Sequence, residues 1–278
     1  MNLQRIAILA PGLLGGSLAL AIRERHPHVA LSIFARRDSA IEEMRSSGLK
    51  AHYFTNPSEA VHDADLVIFC MTVGAMASIA QQIQSSLKPQ AIVTDVGSVK
   101  EVVDHEMQAA LGNSARWIGS HPMAGGEKTG FSAAQANLFD SATTILTPTE
   151  HSNSEALRIL SEFWKSLGST IVICSPQEHD RRVAQISHLT HLTSSALVRA
   201  VSSESILVRG PGFRDTTRVA AGPPEMWTEI LLQNKKAVLE SITSLQKEIS
   251  TIQKHLQDSN AEGIKEWLSG SSEIRSKL

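Results

Sequence analysis

The stretch GSHPMAGGEKTG, residues 119–130, sets one histidine, His121, against a proline and among four glycines. A neutral imidazole can take the proton of a hydroxyl whose carbon is giving up a hydride, and histidine is the side chain best matched to that work near neutral pH. No helix or strand period runs through the stretch, so it is expected to be a glycine loop that holds His121 over a reactive site. A second chemical signature is APGLLG, residues 10–15. It follows a strand-like run and opens a helix-like one, as the dinucleotide fingerprint G-x-G-x-x-G does, with Ala10 in place of the first glycine. Gly12 would let the backbone approach a pyrophosphate, and Gly15 would let helix pack closely on strand. The N–H groups of Leu13 and Leu14 would lie at a helix N-terminus, where an anion is favoured. The alternative is a tight strand–helix turn with no ligand.

Further along, FARRDS puts Ala35 where an NAD enzyme carries an acid for the ribose 2′-hydroxyl, and Arg36 and Arg37 follow it. A missing carboxylate and two guanidiniums suit a 2′-phosphate, so NADP is the expected cofactor, with NAD possible. On the other reading both arginines are solvated loop charges.

The elements that must position these residues are legible as an alternation. Short, β-branched runs, apolar on both faces, occur at 5–10, 29–35, 65–71, 91–96, 115–120, 142–148 and 169–175. Helical patterns separate them at 13–25, 38–47, 74–86, 100–111 and 153–167. This predicts an α/β fold, a doubly wound Rossmann-type sheet with helices on both faces. It also puts His121 at the carboxyl edge of the sheet, where such folds bind ligands. After residue 176 no strand pattern remains. Residues 177–202 have helical spacing, with Val183, Ile186, Leu189, Leu192 and Leu197 on one side. Residues 224–257 read as one long helix whose apolar stripe packs against a second copy of the chain, and a short helix at 260–268 ends the pattern. Two domains are therefore expected, a dinucleotide-binding one at 1–176 and an all-helical substrate and dimerisation one at 177–278.

Composition excludes several classes. A 278-residue chain that is 42% hydrophobic can bury a sizeable core, and a net charge of −2 argues against a nucleic-acid or anionic-membrane binder. No run is long enough to span a bilayer. The two cysteines, Cys70 and Cys174, each end an apolar run and suggest neither a disulfide framework nor a metal cluster. The apolar N-terminus is broken by glycines and lacks a small-residue cleavage site. A cytoplasmic location is expected.

Several stretches carry a resemblance: APGLLGGSLA, TDVGSVK (94–100), GSHPMAGGEKTG, HDRRVAQISHLTHL (179–192) and GFRDTTRVAAGPPEMW (212–227). Together they resemble the prephenate/arogenate (cyclohexadienyl) dehydrogenases of tyrosine biosynthesis, in the family's order and over nearly the whole chain. Ala10 is the departure. The resemblance implies that His121 is the hydrogen acceptor from the ring hydroxyl and that Ser98 bonds the same hydroxyl. It implies that Arg218 binds a substrate carboxylate and that Ser187, His188 and His191 line the pocket. Glu127, Asp215 and Trp227 would lie at its mouth. It also implies an interlocked helical homodimer and no metal. The residues themselves agree on two points: a dianionic substrate needs a guanidinium such as Arg218, and His188 and His191, spaced i, i+3, can face one cavity.

Blander readings stand beside these. Ser98 could cap the helix that begins at VKEVV, and His188 and His191 could be a metal pair. Arg214 could be an ion-pair partner for Asp215, Glu127 a plain loop carboxylate near Lys128, and His179-Asp180 only the start of a helix.

The expected reaction is oxidative decarboxylation of prephenate to 4-hydroxyphenylpyruvate, with hydride passing to NAD(P)+ as His121 takes the hydroxyl proton. Arogenate, giving tyrosine directly, is the first alternative, and dual use is a second. A different hydroxyacid dehydrogenase would rely on a lysine from the helical domain. A catalytically silent NADP-binding sensor is the alternative outside enzymes.

Overall fold

The computed structural model describes residues 3–126 and 128–277. The first part alternates as the sequence predicts: β1 (Arg5–Leu9), α1 (Leu13–Arg25), β2 (Ala30–Phe34), α2 (Asp38–Ser46), β3 (His52–Phe54), α3 (Pro57–Ala60), β4 (Leu66–Phe69), α4 (Val73–Ile83), β5 (Ile92–Asp95), α5 (Glu101–Leu111) and β6 (Arg116–Trp117). The six strands form one parallel sheet in the order β3-β2-β1-β4-β5-β6. This is the doubly wound order of dinucleotide-binding sheets. Successive residues of β1 and β4 point to opposite faces, so Ile6, Ile8 and Ile68 enter one apolar cluster while Ala7, Leu9, Val67 and Phe69 enter the other. Both faces are buried, which is why these strands read as unbroken apolar runs. The three-residue β3 and four-residue α3 were not expected, being too short to show a period.

The run 115–120 is not one strand. Its chain bends after β6 at Ile118, and β7 (Gly119–Pro122) enters a second sheet with β8 (Thr143–Thr147) and β9 (Thr170–Ile173), in the order β7-β8-β9. β7 runs antiparallel to β8, and His121 pairs with Ile145. His121 is thus on a buried strand rather than on the expected glycine loop, which begins only after Pro122. Helix α6 (Ser154–Ser166) lies between β8 and β9 and sends Phe163 and Trp164 into the core.

From Pro176 onward the described residues form helices and turns: α7 (Pro176–Val183), a π-helical turn at Ala184–His188, α8 (Leu189–Ala200), α9 (Ser203–Ile206), α10 (Pro211–Thr217), a tight turn at Arg218–Ala221, α11 (Pro224–Gln233), α12 (Lys235–Gln257) and α13 (Ala261–Arg275). Two expectations change here. The π turn adds a residue to its turn and rotates the face, so Ile186, expected on the apolar side, is 65% exposed. The single helix expected over 224–257 breaks at Asn234, whose φ of −104° and ψ of 28° leave the helical range. The final helix, at 15 residues, is also longer than expected.

The turn between β1 and α1 explains both the glycines and the departure. Ala10 has φ +72°, the left-handed region that a glycine enters without strain. Its N–H donates to the Phe34 carbonyl and its carbonyl accepts from Gly12 N–H, which fixes that conformation. A Cβ on Gly15 would lie 2.5 Å from the Ala10 carbonyl oxygen and 3.0 Å from the Cys70 Cβ, so helix and strand pack closely only with glycine there. Ala10→Gly should relieve the strain and raise stability by about 1 kcal/mol, seen as a Tm increase of about 2 °C by calorimetry. An unchanged or lower Tm would show that the turn carries no such strain.

Candidate active site

Asp95 ends β5 and is fully buried beside the ammonium of Lys100, itself fully buried, and the two form an ion pair. The carboxylate also accepts the Gly97 N–H at 2.8 Å and the Ser120 N–H at 3.0 Å. Burial pushes the Asp95 carboxyl up, while the Lys100 ammonium and the two N–H groups pull it back. The pair therefore fastens the 96–100 loop and the start of β7 to the carboxyl end of β5. Gly119 is required by this packing: a Cβ there would lie 2.6 Å from Thr147 Oγ1 and 2.9 Å from Lys100 Cδ. The Ser120 hydroxyl lies 2.6 Å from Thr94 Oγ1 and accepts Trp164 Nε1–H at 3.2 Å. His121 follows on this fixed strand.

His121 is 7% exposed. Its Nδ1 is 2.8 Å from Nε2 of His179, and Nδ1 of His179 is 2.7 Å from Oδ1 of Asp180. Both partners come from α7, which starts sharply because Ser175 accepts the Glu178 N–H and Pro176 holds the first position. Asp180 reaches back to the start of α5. Its Oδ1 accepts the Lys100 N–H at 2.8 Å and its Oδ2 the Glu101 N–H at 3.0 Å, at the N-terminus of α5. Ser98 therefore does not cap that helix; Asp180 does. Asn234 donates its amide to the Asp180 carbonyl at 2.8 Å and lies 3.2 Å from Nδ1 of His188, so the helix breaks where its side chain is needed.

A second cluster continues from His188, which is fully buried with its ring 6.1 Å from that of Trp227. Nε2 of His188 makes no full hydrogen bond, although the Ser98 carbonyl is near enough to favour a proton there. His191 stacks on Trp227 at 3.7 Å between centroids, and its Nδ1 is 2.9 Å from the Val219 carbonyl. Gly222 leaves the room Trp227 fills. Ser194 donates to the Thr216 carbonyl, so the segment carrying Asp215 and Arg218 is tied to α8.

The sequence-predicted residues thus divide. His121, His188, His191 and Trp227 join one connected set, and Ser98 borders it. Ser187 is half-buried on the π turn, and Arg218 and Asp215 are exposed on the segment tied to α8. Arg214 and Asp215, both exposed on α10, form no ion pair among the described residues. Glu127 lies outside the described residues. His179, Asp180, Asp95, Lys100 and Asn234 were not singled out for the site, though DVGSVK and HDRR had been marked. A lysine five residues past a strand-end aspartate was the available signal.

The cofactor end fits a dinucleotide. A Cβ on Gly12 would meet nothing within 4 Å, so a ligand can approach that backbone. The first turn of α1, with Leu13 and Leu14, carries no side-chain cap and no acid. Arg36 and Arg37 are exposed just past β2, whose Phe34 pairs with Leu9 next to the Ala10 turn.

Residues 18–173 match the family model for the prephenate dehydrogenase nucleotide-binding domain, and residues 175–270 that for the prephenate dehydrogenase dimerization domain. The chain is 35% identical over 243 residues to a cyclohexadienyl dehydrogenase of Zymomonas mobilis, covering 85% of this chain and 83% of that protein. It is 31% identical over 287 residues to a prephenate dehydrogenase of Bacillus subtilis, covering 100% and 77%. Prephenate dehydrogenase of Aquifex aeolicus, solved with hydroxyphenyl propionate and NAD+, superposes with a TM-score of 0.92 at 28% identity, covering 100% and 99%. Arogenate dehydrogenase of Synechocystis does so at 0.84 and 30% identity, covering 98% and 99%.

Burial keeps the histidines neutral. It holds His121 well below the ordinary imidazole range, with the charges of His179 and Lys100 adding to the effect. It pushes His179 down to about 2, and His188 to about 4 against the opposing charge of Asp180. The unfolded chain would protonate all three near pH 6.5. Unfolding therefore takes up protons below that pH, and stability that is full above it falls as the pH drops. The loss should be roughly 1 kcal/mol per histidine at pH 5.5, lowering Tm by several degrees relative to pH 7.5. A Tm flat over that range would mean that the folded rings take up protons as readily as the unfolded ones.

Proposed function

This chain belongs to the prephenate dehydrogenase family, and from that premise we propose how its own residues carry the reaction. The reaction is oxidative decarboxylation of prephenate to 4-hydroxyphenylpyruvate. When bound, an oxidised nicotinamide supplies the hydride acceptor. The chain supplies placement and a base. The observation that carries this reading is His121: a buried, neutral imidazole on β7, just past the carboxyl end of β5.

As the substrate's carbinol carbon loses hydride, His121 takes the hydroxyl proton. The new carbonyl draws in the electrons of the bond to the ring carboxylate, carbon dioxide leaves, and the ring becomes aromatic. Aromatisation drives the step, so no strong acid is needed. Ser98, on the loop that the Asp95–Lys100 pair fixes, bonds the same hydroxyl. Arg218 holds a substrate carboxylate as a bidentate partner. Ser187, His188 and His191 line the pocket, with Trp227 and Asp215 at its mouth.

Two specificities follow from the same residues. Prephenate and arogenate differ in a keto against an ammonium group. Ser187, His188 and His191 offer no carboxylate to an ammonium, which favours the keto acid. Arg36 and Arg37, exposed beside the β1–α1 turn, favour a 2′-phosphate and so NADP+ over NAD+.

The chain acts as a homodimer through its helical part. Leu239, Ile249 and Leu256 on α12 and Leu268 and Ile274 on α13 are each more than half exposed, an apolar area that a second copy would cover. Light scattering at micromolar concentration should give twice the 30.1 kDa chain mass; a monomer there would contradict it.

The test of function is a steady-state assay of prephenate and arogenate, each with NAD+ and NADP+. Prephenate with NADP+ should give the highest kcat/KM. Higher values with NAD+ would turn Arg36 and Arg37 into solvated charges, and higher values with arogenate would reverse the substrate preference. His121→Asn should lower kcat by about 10²–10⁴-fold with little change in substrate affinity. A near-normal kcat would remove His121 from the chemistry.

A further inference from the structure

We infer that His179 and Asp180 are positioning residues that set the tautomer of His121, leaving its Nε2 bare to take the proton. The inference rests on the reading of His121 as proton acceptor. The three side chains form a line: His121 Nδ1 to His179 Nε2, then His179 Nδ1 to Asp180 Oδ1, at 2.8 and 2.7 Å. A neutral imidazole has one N–H and one bare nitrogen, so a line of two such rings has a direction. The group at its end decides which.

An ionised Asp180 only accepts. His179 then carries its proton on Nδ1, its Nε2 is bare, and it accepts the Nδ1–H of His121. Nε2 of His121 is left with a lone pair. If Asp180 were protonated and donating, every bond would reverse. His121 would then carry its proton on Nε2 and could accept nothing from a substrate. The direction of the line decides whether the ring can act as a base at all.

The surroundings of Asp180 favour the carboxylate. Both oxygens already accept backbone N–H groups, from Lys100 and Glu101, at the positive end of the eleven-residue α5. Burial pushes the Asp180 carboxyl up, and the two N–H groups and the charge of Lys100 pull it back toward the ionised form. From the helical side, Asn234 presents its amide nitrogen to the Asp180 carbonyl and to Nδ1 of His188. The charges that act on Asp180 across the contact are those of Lys100 and His188, and both favour the carboxylate. The line also has no outlet, since His179 is fully buried and Asp180 is 3% exposed. It orients His121 and does not carry the proton away: the proton taken up at Nε2 stays on His121, with Nδ1–H still bonded to His179, and leaves from the substrate side.

The direct test is the protonation pattern of the full-length protein labelled with 15N-histidine, read from long-range proton–nitrogen spectra at pH 7.5. His121 is assigned by its loss in His121→Asn. The expected result is a protonated Nδ1 and a bare Nε2 on His121; a protonated Nε2 would overturn the inference. Kinetics give a second arm. His179→Leu, which removes the acceptor, should lower kcat about a hundredfold with KM within about threefold. His179→Gln, whose amide oxygen can accept the Nδ1–H, should recover at least about tenfold of that loss. A His179→Leu variant with wild-type kcat would also overturn it. If that variant does not fold, the wild-type spectrum decides. A His121→Asn variant with normal kcat instead defeats the reading of His121, whatever the spectrum shows.

Discussion

Lys100 is buried without any exposed surface, and two carboxylates meet on it. Asp95, from the sheet, takes its ammonium; Asp180, from the first helix of the C-terminal part, takes its backbone N–H. A lysine in such a place is tolerated only with its charge paired, and removing one partner of a buried pair costs about 3–5 kcal/mol. The same lysine thus obliges β5, the 96–100 loop and α7 to meet at one point. β7 is drawn in as well, because Asp95 also takes the Ser120 N–H. His121 is the next residue, so its position is a consequence of where this charge is neutralised.

The irregularities of the helical part serve the same point. A π turn at Ala184–His188 turns His188 inward and Ile186 outward. A break at Asn234 frees an amide that spans the Asp180 carbonyl and the His188 ring. Each feature departs from a regular helix, and each brings a polar group to the histidine cluster. Regular helices would have packed more simply but would have left these groups unpaired, and unpaired buried polar groups are costly. At the other end of the sheet, the strained Ala10 keeps the turn that a glycine would have kept more cheaply.

Much of this was readable in the chain. The alternation of apolar runs and helical patterns identified the doubly wound sheet, since strands buried on both faces have no polar side to hide. APGLLG announced its turn, and GSHPMAG singled out His121. The wrong part was the reason for its glycines. Gly119 is needed because Lys100 and Thr147 crowd it, not because a tight loop turns there. Crowding by residues 19 and 28 positions away leaves no local pattern to read.

The sequence by itself determined the periodicities, the fingerprint turn, the composition and the identity of the histidine, because each depends on neighbours along the chain or on a repeat of fixed period. Only the tertiary structure decided that His121 lies on a strand, that His179 and Asp180 stand behind it, and that Asp180 rather than Ser98 caps α5. Those pairings join residues up to 80 positions apart. They are selected by burial, which makes every unpaired charge and N–H group expensive until one arrangement satisfies them together.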